Sequence, residues 1–323
     1  MTKTLLTIAC LALTASLSGI QPAGALDPLT MASGSPGDWD TGTADFGMRR
    51  NSFKNNGIDL KIVYTEGGGA TLQAVNSGSA DIGVAVSPAA VLGAATKGAP
   101  VKIISQQYKG ALDTIWYVRA DSPIRSLKDI TPKTTVSFST NGSSSNMLAM
   151  AMLRQIGVDA VLVATGDGTA TLTQVMSGQI DVGYNVDGGL GFLAEGAKVR
   201  VIGSANDVDE ARDVTARVFI ANANTLSTRR DAIVRFLRVY QETQDWMYKD
   251  PLALQWYAEN KRVSLADATR VRDLIYPEKA LTLGPVIGGQ AIVRTAVDSK
   301  RINAPITPEQ FAQYVDILWP PQK

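Results

Sequence analysis

The chain has 323 residues and nearly balanced charge, 31 Lys and Arg against 30 Asp and Glu, with no histidine and one cysteine. That inventory excludes Cys/His zinc sites and both the Ser-His-Asp and Cys-His nucleophile arrangements. Without a basic block, it also argues against nucleic acid or an anionic membrane as partner, and it implies no cofactor and no metal.

The first 25 residues read as a secretory signal. Lys3 gives a positive start, Leu5 to Leu17 is an apolar run, and Ala23-Gly24-Ala25 is a small-residue cleavage site. The run is too short for a comfortable membrane span. Cleavage after Ala25 would remove Cys10 and leave equal numbers of acidic and basic residues. Such an exported chain, without disulfides, relies on its packed core, and about 300 residues can bury one or two good ones.

Leu29 to Ser33 reads as a short strand that runs into a Gly/Ser/Pro/Asp loop, Gly34 to Gly42. That loop is either an ordinary turn or, given its length and Trp39, a binding loop. Ile58 to Thr65 alternates and is rich in β-branched residues, which predicts a strand. Ala70 to Asn76 has helical spacing, Ala80 to Val86 is a strand, Pro88 to Lys97 a helix, and Val101 to Ser105 a strand. This order predicts an α/β unit with a mostly parallel sheet. Strands follow at Thr114 to Arg119, Thr135 to Ser139 and Val161 to Ala164, with a helix at Met147 to Ile156. Val214 to Ala221 reads as a strand returning to the first unit. A long amphipathic helix is predicted over Thr228 to Lys249, with Ile233, Phe236, Leu237, Tyr240 and Trp246 near one face. Further helices are expected near Leu252 to Glu259, Leu265 to Leu274, Gln290 to Ser299 and Pro308 to Leu318.

One segment occurs twice. ATLQAVNSGSADIG (Ala70 to Gly83) returns as ATLTQVMSGQIDVG (Ala170 to Gly183), each a predicted helix, glycine cap and strand. Two copies are too few for a solenoid and point to two similar lobes with a ligand held between them. Asp81 and Asp181, early in their strands, are expected to cap or orient them.

The candidate binding residues lie around this repeat. Glu66 to Thr71 and Thr165 to Thr171 are Gly-rich turns that open helices. They suit either an anion at the helix start or close packing of helix on strand. Thr140 to Asn146 (TNGSSSN) places three serines and two asparagines at a strand-to-helix turn, more than one cap needs. Ser87, Asn185 and Asp187 follow the repeat strands at the sheet edge where open α/β sheets bind ligands. Asp187 is either a turn residue before Gly188-Gly189 or a partner for a ligand amine or hydroxyl.

The segments IDLKIVYTEGGGATLQAVNSGSADIGVAVSPAAVLGAATKGAPVKIIS and WYVRADSPIRSLKDI resemble the ABC-transporter substrate-binding proteins of the sulfonate, taurine, nitrate and thiamine-precursor group. The resemblance covers about Leu29 to about Lys261. It implies a type II periplasmic-binding-protein fold: two α/β lobes of mostly parallel sheet with flanking helices, two crossovers, and a ligand cleft between the lobes. Residues 26–120 with 214–323 form lobe 1 and 121–213 lobe 2 in this reading, with crossovers near Asp121 and Asp213. It implies a monomer that captures a small organic molecule and delivers it to an ABC-transporter permease. Ligand contacts map to Asp38 and Trp39, to Ser87, to Gly142, Ser143, Ser144 and Ser145, and to Asn185 and Asp187. The loop around Trp39 departs from the pattern of any one ligand subgroup. Pyrimidine-synthase relatives depend on histidine and cysteine, which counts against an enzyme here. A sensory binding protein for a membrane receptor is the alternative to transport.

Overall fold

The computed structural model describes residues 26–34 and 36–320. The signal segment expected over 1–25, with Cys10, lies outside them. Among the described residues no helix is long and apolar enough to cross a membrane.

The strands are β1 (Asp27–Ser33), β2 (Ile58–Tyr64), β3 (Ile82–Val86), β4 (Val101–Lys109), β5 (Ile115–Arg119), β6 (Thr135–Phe138), β7 (Val161–Ala164), β8 (Gly183–Asn185), β9 (Val199–Ser204) and β10 (Thr215–Asn222). The first sheet has the order β2-β1-β3-β10-β4. In it β1 runs parallel to β2 and β3, while β10 is antiparallel to β3 and β4.

The remaining strands repeat that plan. β6 pairs parallel with β7, and β5 pairs antiparallel with β8 and β9. A parallel bridge between Val136 and Val182 joins the two groups, and the Ser137 N–H donates to the Val182 carbonyl at 2.9 Å. The second order is therefore β7-β6-β8-β5-β9, the first with each strand replaced by its counterpart. The chain passes from the first sheet to the second between Lys109 and Ile115 and returns between Ser204 and Thr215.

The duplicated segment performs the same local task in both sheets. Gly78 and Gly178 end their helices at φ +77° and +78°, the left-handed region that favours glycine. The hydroxyls of Thr65 and Thr71 meet at 2.8 Å, and those of Thr165 and Thr171 at 2.7 Å. Asp81 accepts the N–H of Thr30 in β1, and Asp181 accepts that of Thr135 in β6, both at 2.8 Å. Each aspartate thus ties its own strand to the next one, the orienting role expected of it.

Apolar cores lie on both sheets. The Ala223–Lys249 helix buries Ile233, Phe236, Leu237 and Tyr240 against the first sheet, where Phe219 of β10 meets Tyr240 edge-on at 4.9 Å. Arg229 interrupts that helix with a non-helical φ of −135°, next to the start expected at Thr228. The last predicted helix is shorter than expected, Pro308–Ala312. After it the chain runs along β4: the Ile103 N–H donates to Tyr314 O at 2.9 Å, and the Asp316 N–H to Ile103 O at 2.8 Å. The open edge of β4 offers backbone groups that must be paired, and this tertiary demand overrides helical spacing.

Candidate ligand-binding cleft

The carboxyl ends of β1, β3, β6 and β8 face one another, which brings the first sheet's loops onto the second's. Glycine makes the approach possible. A Cβ at Gly67 would lie 2.6 Å from the Ser139 hydroxyl, and one at Gly69 would lie 2.2 Å from the Asn141 carbonyl oxygen. The Gly69 N–H donates to Thr140 Oγ1 at 3.1 Å across this contact. A Cβ at Gly68 would lie 2.8 Å from the Ala85 carbonyl oxygen in β3, the close packing of helix on strand that is one of the two roles open to the Glu66 to Thr71 turn.

The serine-rich turn caps the Ser144–Ile156 helix. Ser143 Oγ accepts the Asn146 N–H at 3.1 Å, and Ser145 Oγ accepts the Ser139 N–H at 3.0 Å. Gly142, at φ +86°, donates its N–H to Asn146 Oδ1 at 3.1 Å. Ser143, Ser144 and Ser145 line a small inter-sheet cavity of about 30 Å³ with Gly67, Tyr184 and Arg217. That is room for a water-sized group or two. Ser87 precedes the Pro88–Ala95 helix, and it shares a largely apolar crevice of about 50 Å³ with Ser144 and Ile292. Gly142 borders a separate opening beside Arg301. Trp39 is fully buried among Phe46, Tyr248 and Tyr257.

Behind the small cavity lies a buried ionic cluster. Arg217 of β10 donates to Asp113 Oδ2 at 2.5 Å, approaches Asp40 Oδ2 at 3.3 Å, and stacks over the Tyr108 ring at 4.4 Å. Gln107 Nε2 donates to Asp40 Oδ2 at 3.0 Å. Burial raises Asp113 to about 6 against the pull of Arg217, and burial likewise raises Asp40. Burial disfavours the Arg217 charge, but Asp113 and Asp40 outweigh it and hold the guanidinium protonated.

A cleft larger than the small cavity, about 310 Å³, opens beside this cluster, while the opening beside Arg301 measures about 510 Å³. Asp38 and Lys261 line it from one side, and Asp167, Tyr184, Asn185 and Asp187 from the other. Lys261 ends the Pro251–Lys261 helix, pairs with Asp38, and stands 4.0 Å from Asp187. Asp187 accepts the N–H groups of Gly189 at 3.0 Å and Gly191 at 2.9 Å. Asn185 Oδ1 accepts the N–H groups of Asp187 at 2.9 Å and Gly189 at 3.2 Å. Burial, then the nearby Asp38, raises Asp187 above the usual carboxylate range, with Lys261 opposing. Burial works against the Lys261 charge, and Asp38 and Asp187 more than offset it.

The family profile described as NMT1/THI5 like matches residues 47–253. The chain belongs to this family. No curated protein matches its sequence. Among solved structures, it is similar to the alkanesulfonate-binding protein of Xanthomonas axonopodis pv. citri bound to MOPS, at TM-score 0.72 and 15% identity, covering 91% of this chain and 99% of that one. It is similar to the periplasmic aliphatic sulphonate binding protein of Escherichia coli at TM-score 0.68 and 17% identity, covering 92% and 93%. It is also similar to the periplasmic nitrate-binding protein of Synechocystis PCC 6803 at TM-score 0.67 and 14% identity, covering 91% and 87%. The NMT1/THI5-like chain thus has the two-sheet periplasmic-binding-protein fold expected from its sequence, with as many antiparallel pairings as parallel ones in each sheet where mostly parallel sheets were expected.

Of the residues matched by resemblance, Asp38, Asn185 and Asp187 meet in the cleft of about 310 Å³. Ser143, Ser144 and Ser145 line the small cavity, while Ser87 and Gly142 border the other two openings. Lys261, Arg217, Asp40 and Asp113 have no counterpart in the sequence reading. Asp40 carried a signal, two residues from Asp38 in the same loop. Arg217 and Lys261 each end up opposite carboxylates distant in sequence, which spacing alone does not reveal.

Proposed function

We propose that this chain is an exported solute-binding protein that captures one small organic molecule between two lobes and delivers it to an ABC importer. The first lobe is built on the β2-β1-β3-β10-β4 sheet and the second on the β7-β6-β8-β5-β9 sheet, with the two chain passages as hinge. The pairing of β5 with β8 and β9 supports a first lobe boundary ahead of Ile115 in this proposal, in place of the one after 120. The observation that carries this reading is the cleft of about 310 Å³ walled from both sides by buried polar side chains. Fold alone does not assign function, so the weight rests on that site. Asp38, Asn185 and Asp187 are its ligand contacts. No covalent chemistry is proposed, because the sequence has no histidine and its single cysteine, Cys10, lies in the expected signal. The chain acts as a monomer, and its closed form docks the permease.

Mass spectrometry of small molecules released on denaturing the purified protein tests this, followed by a thermal-shift screen. A released compound that raises the melting temperature and is recovered unchanged is the expected result. Conversion of that compound by the protein would replace binding with catalysis.

A further inference from the structure

The charge balance of the cleft of about 310 Å³ narrows the class of ligand, given that the chain binds a solute there. Asp38 and Asp187 are buried in its wall, and Lys261, half-buried, is the cation that pairs with them there among the described residues. Directly behind, Asp40 and Asp113 share Arg217. Four buried carboxylates therefore face two cations, and the exposed rim adds one charge of each sign, Asp167 and Arg262. The raised carboxyl groups of Asp113, Asp187 and Asp40 reflect this deficit of positive charge as well as burial.

A second observation is independent of charge. Asn185 is 6% exposed, and its Oδ1 is occupied by two backbone N–H groups. Its Nδ2 donates no hydrogen bond among the described residues. That nitrogen lies 3.4 Å from where a Cβ of Gly168 would be and 3.9 Å from that of Gly191, and both glycines line the cleft. That donor opens into the cleft, where water or a ligand acceptor takes its hydrogen bond, and a ligand that carries an acceptor replaces the water.

We propose that the cleft takes a small organic cation, a protonated amine or protonated nitrogen heterocycle, that also carries a hydrogen-bond acceptor. Its positive centre sits between Asp38 and Asp187, and Asn185 Nδ2 donates to its acceptor. Lys261 is then a built-in stand-in for the ligand. Its ammonium, on a flexible four-carbon stem, holds the two carboxylates until the ligand displaces it. An anion would add charge of the sign already in excess: Arg217 is engaged by two carboxylates, and Arg262 on the exposed rim is offset there by Asp167.

Calorimetry with five named probes tests this at near-neutral pH. Ethanolamine, 4-amino-1-butanol and histamine represent cations that carry an acceptor, and ethanesulfonate and nitrate represent anions. At least one cation is expected to bind and neither anion. Asp187→Asn should weaken that binding at least tenfold, with Asp38→Asn as the second variant should the first not fold. Lys261→Gln should tighten it, because the internal competitor is gone. Anion binding that Lys261→Gln abolishes would overturn the cation assignment while leaving the solute-binding reading intact. Binding by none of the five would also overturn the assignment, and the released-molecule experiment then judges the solute-binding reading separately.

Discussion

Trp39 meets Phe46, Tyr248 and Tyr257 edge-on at centroid separations of 6.4, 5.6 and 5.1 Å, with none of its surface exposed. Trp39→Ala is therefore expected to cost about 3–5 kcal/mol of stability, read as a lower urea midpoint. Asn185→Ala removes no comparable packing. It should lower that midpoint by less, a cost of about 1–3 kcal/mol, because the buried Asp187 N–H loses its acceptor, and weaken ligand binding at least tenfold, about 1.4 kcal/mol or more. Asp113 gives a test in pH. Its folded value of about 6 lies above the usual 3.8, so between these the folded chain holds more protons than the unfolded one. The stability this group contributes is full below its unfolded value and is lost as pH rises through its folded one. The melting temperature of the native chain minus that of Asp113→Asn should therefore decline from about pH 4 to about pH 7 and then level off. The other raised carboxyls are present in both proteins and largely cancel. A difference that stays constant over this range would mean that Asp113 is already ionised at the acid end. Asp38, Asn185 and Asp187 were legible because they follow recognisable strands. The cations opposite them were not, because an ion pair is chosen by the fold and leaves no local spacing behind.

The repeated helix-cap-strand element was the most legible part of the fold, since Leu72/Leu172, Val75/Val175 and Gly78/Gly178 carry spacing, burial and cap within a dozen residues. The chain after Ala312 was the least legible. Its course beside β4 is dictated by a strand edge far away in sequence, and local spacing still predicted a helix. The repeat's two aspartates differ in setting, which makes them a controlled pair. Asp81 is partly buried, ties β1, and also pairs with Arg229, whereas Asp181 is exposed and ties β6 through Thr135 alone. Asp81→Ala is expected to cost about 1.5–3 kcal/mol, the range for hydrogen bonds to a charged group. Asp181→Ala should cost less, because water replaces the lost acceptor. Urea unfolding of the two variants checks the order, and equal losses would show that the Arg229 pair adds nothing.

At the scale of the whole molecule, the side-chain-free turn of Gly67 to Gly69 meets the Ser139 and Thr140 hydroxyls and the Asn141 carbonyl across the two sheets. Apolar clusters flank that contact, Met147 with Leu92, Ile292 and Val293 and Leu190 with Tyr257 and Tyr276, so a ligand touching both walls of the cleft acts on a partly packed interface. Binding shifts an open-closed equilibrium only by the ligand's differential affinity for the two states. Asp38 with Lys261 and Asn185 with Asp187 lie on opposite walls, which gives the closed state more contacts. Ligand at about 100 times its dissociation constant adds about 2.7 kcal/mol of stability by mass action. At about 2–4 °C per kcal/mol for chains near this size, the melting temperature should rise by about 5–10 °C. X-ray scattering should show the radius of gyration fall on addition of that ligand. Gly69→Ala places a methyl group against the Asn141 carbonyl, where a Cβ would stand at 2.2 Å, so this variant should stay expanded and bind at least tenfold more weakly. Ligand saturation of the native chain with no contraction would show that the lobes do not move, and the glycines would then serve packing alone.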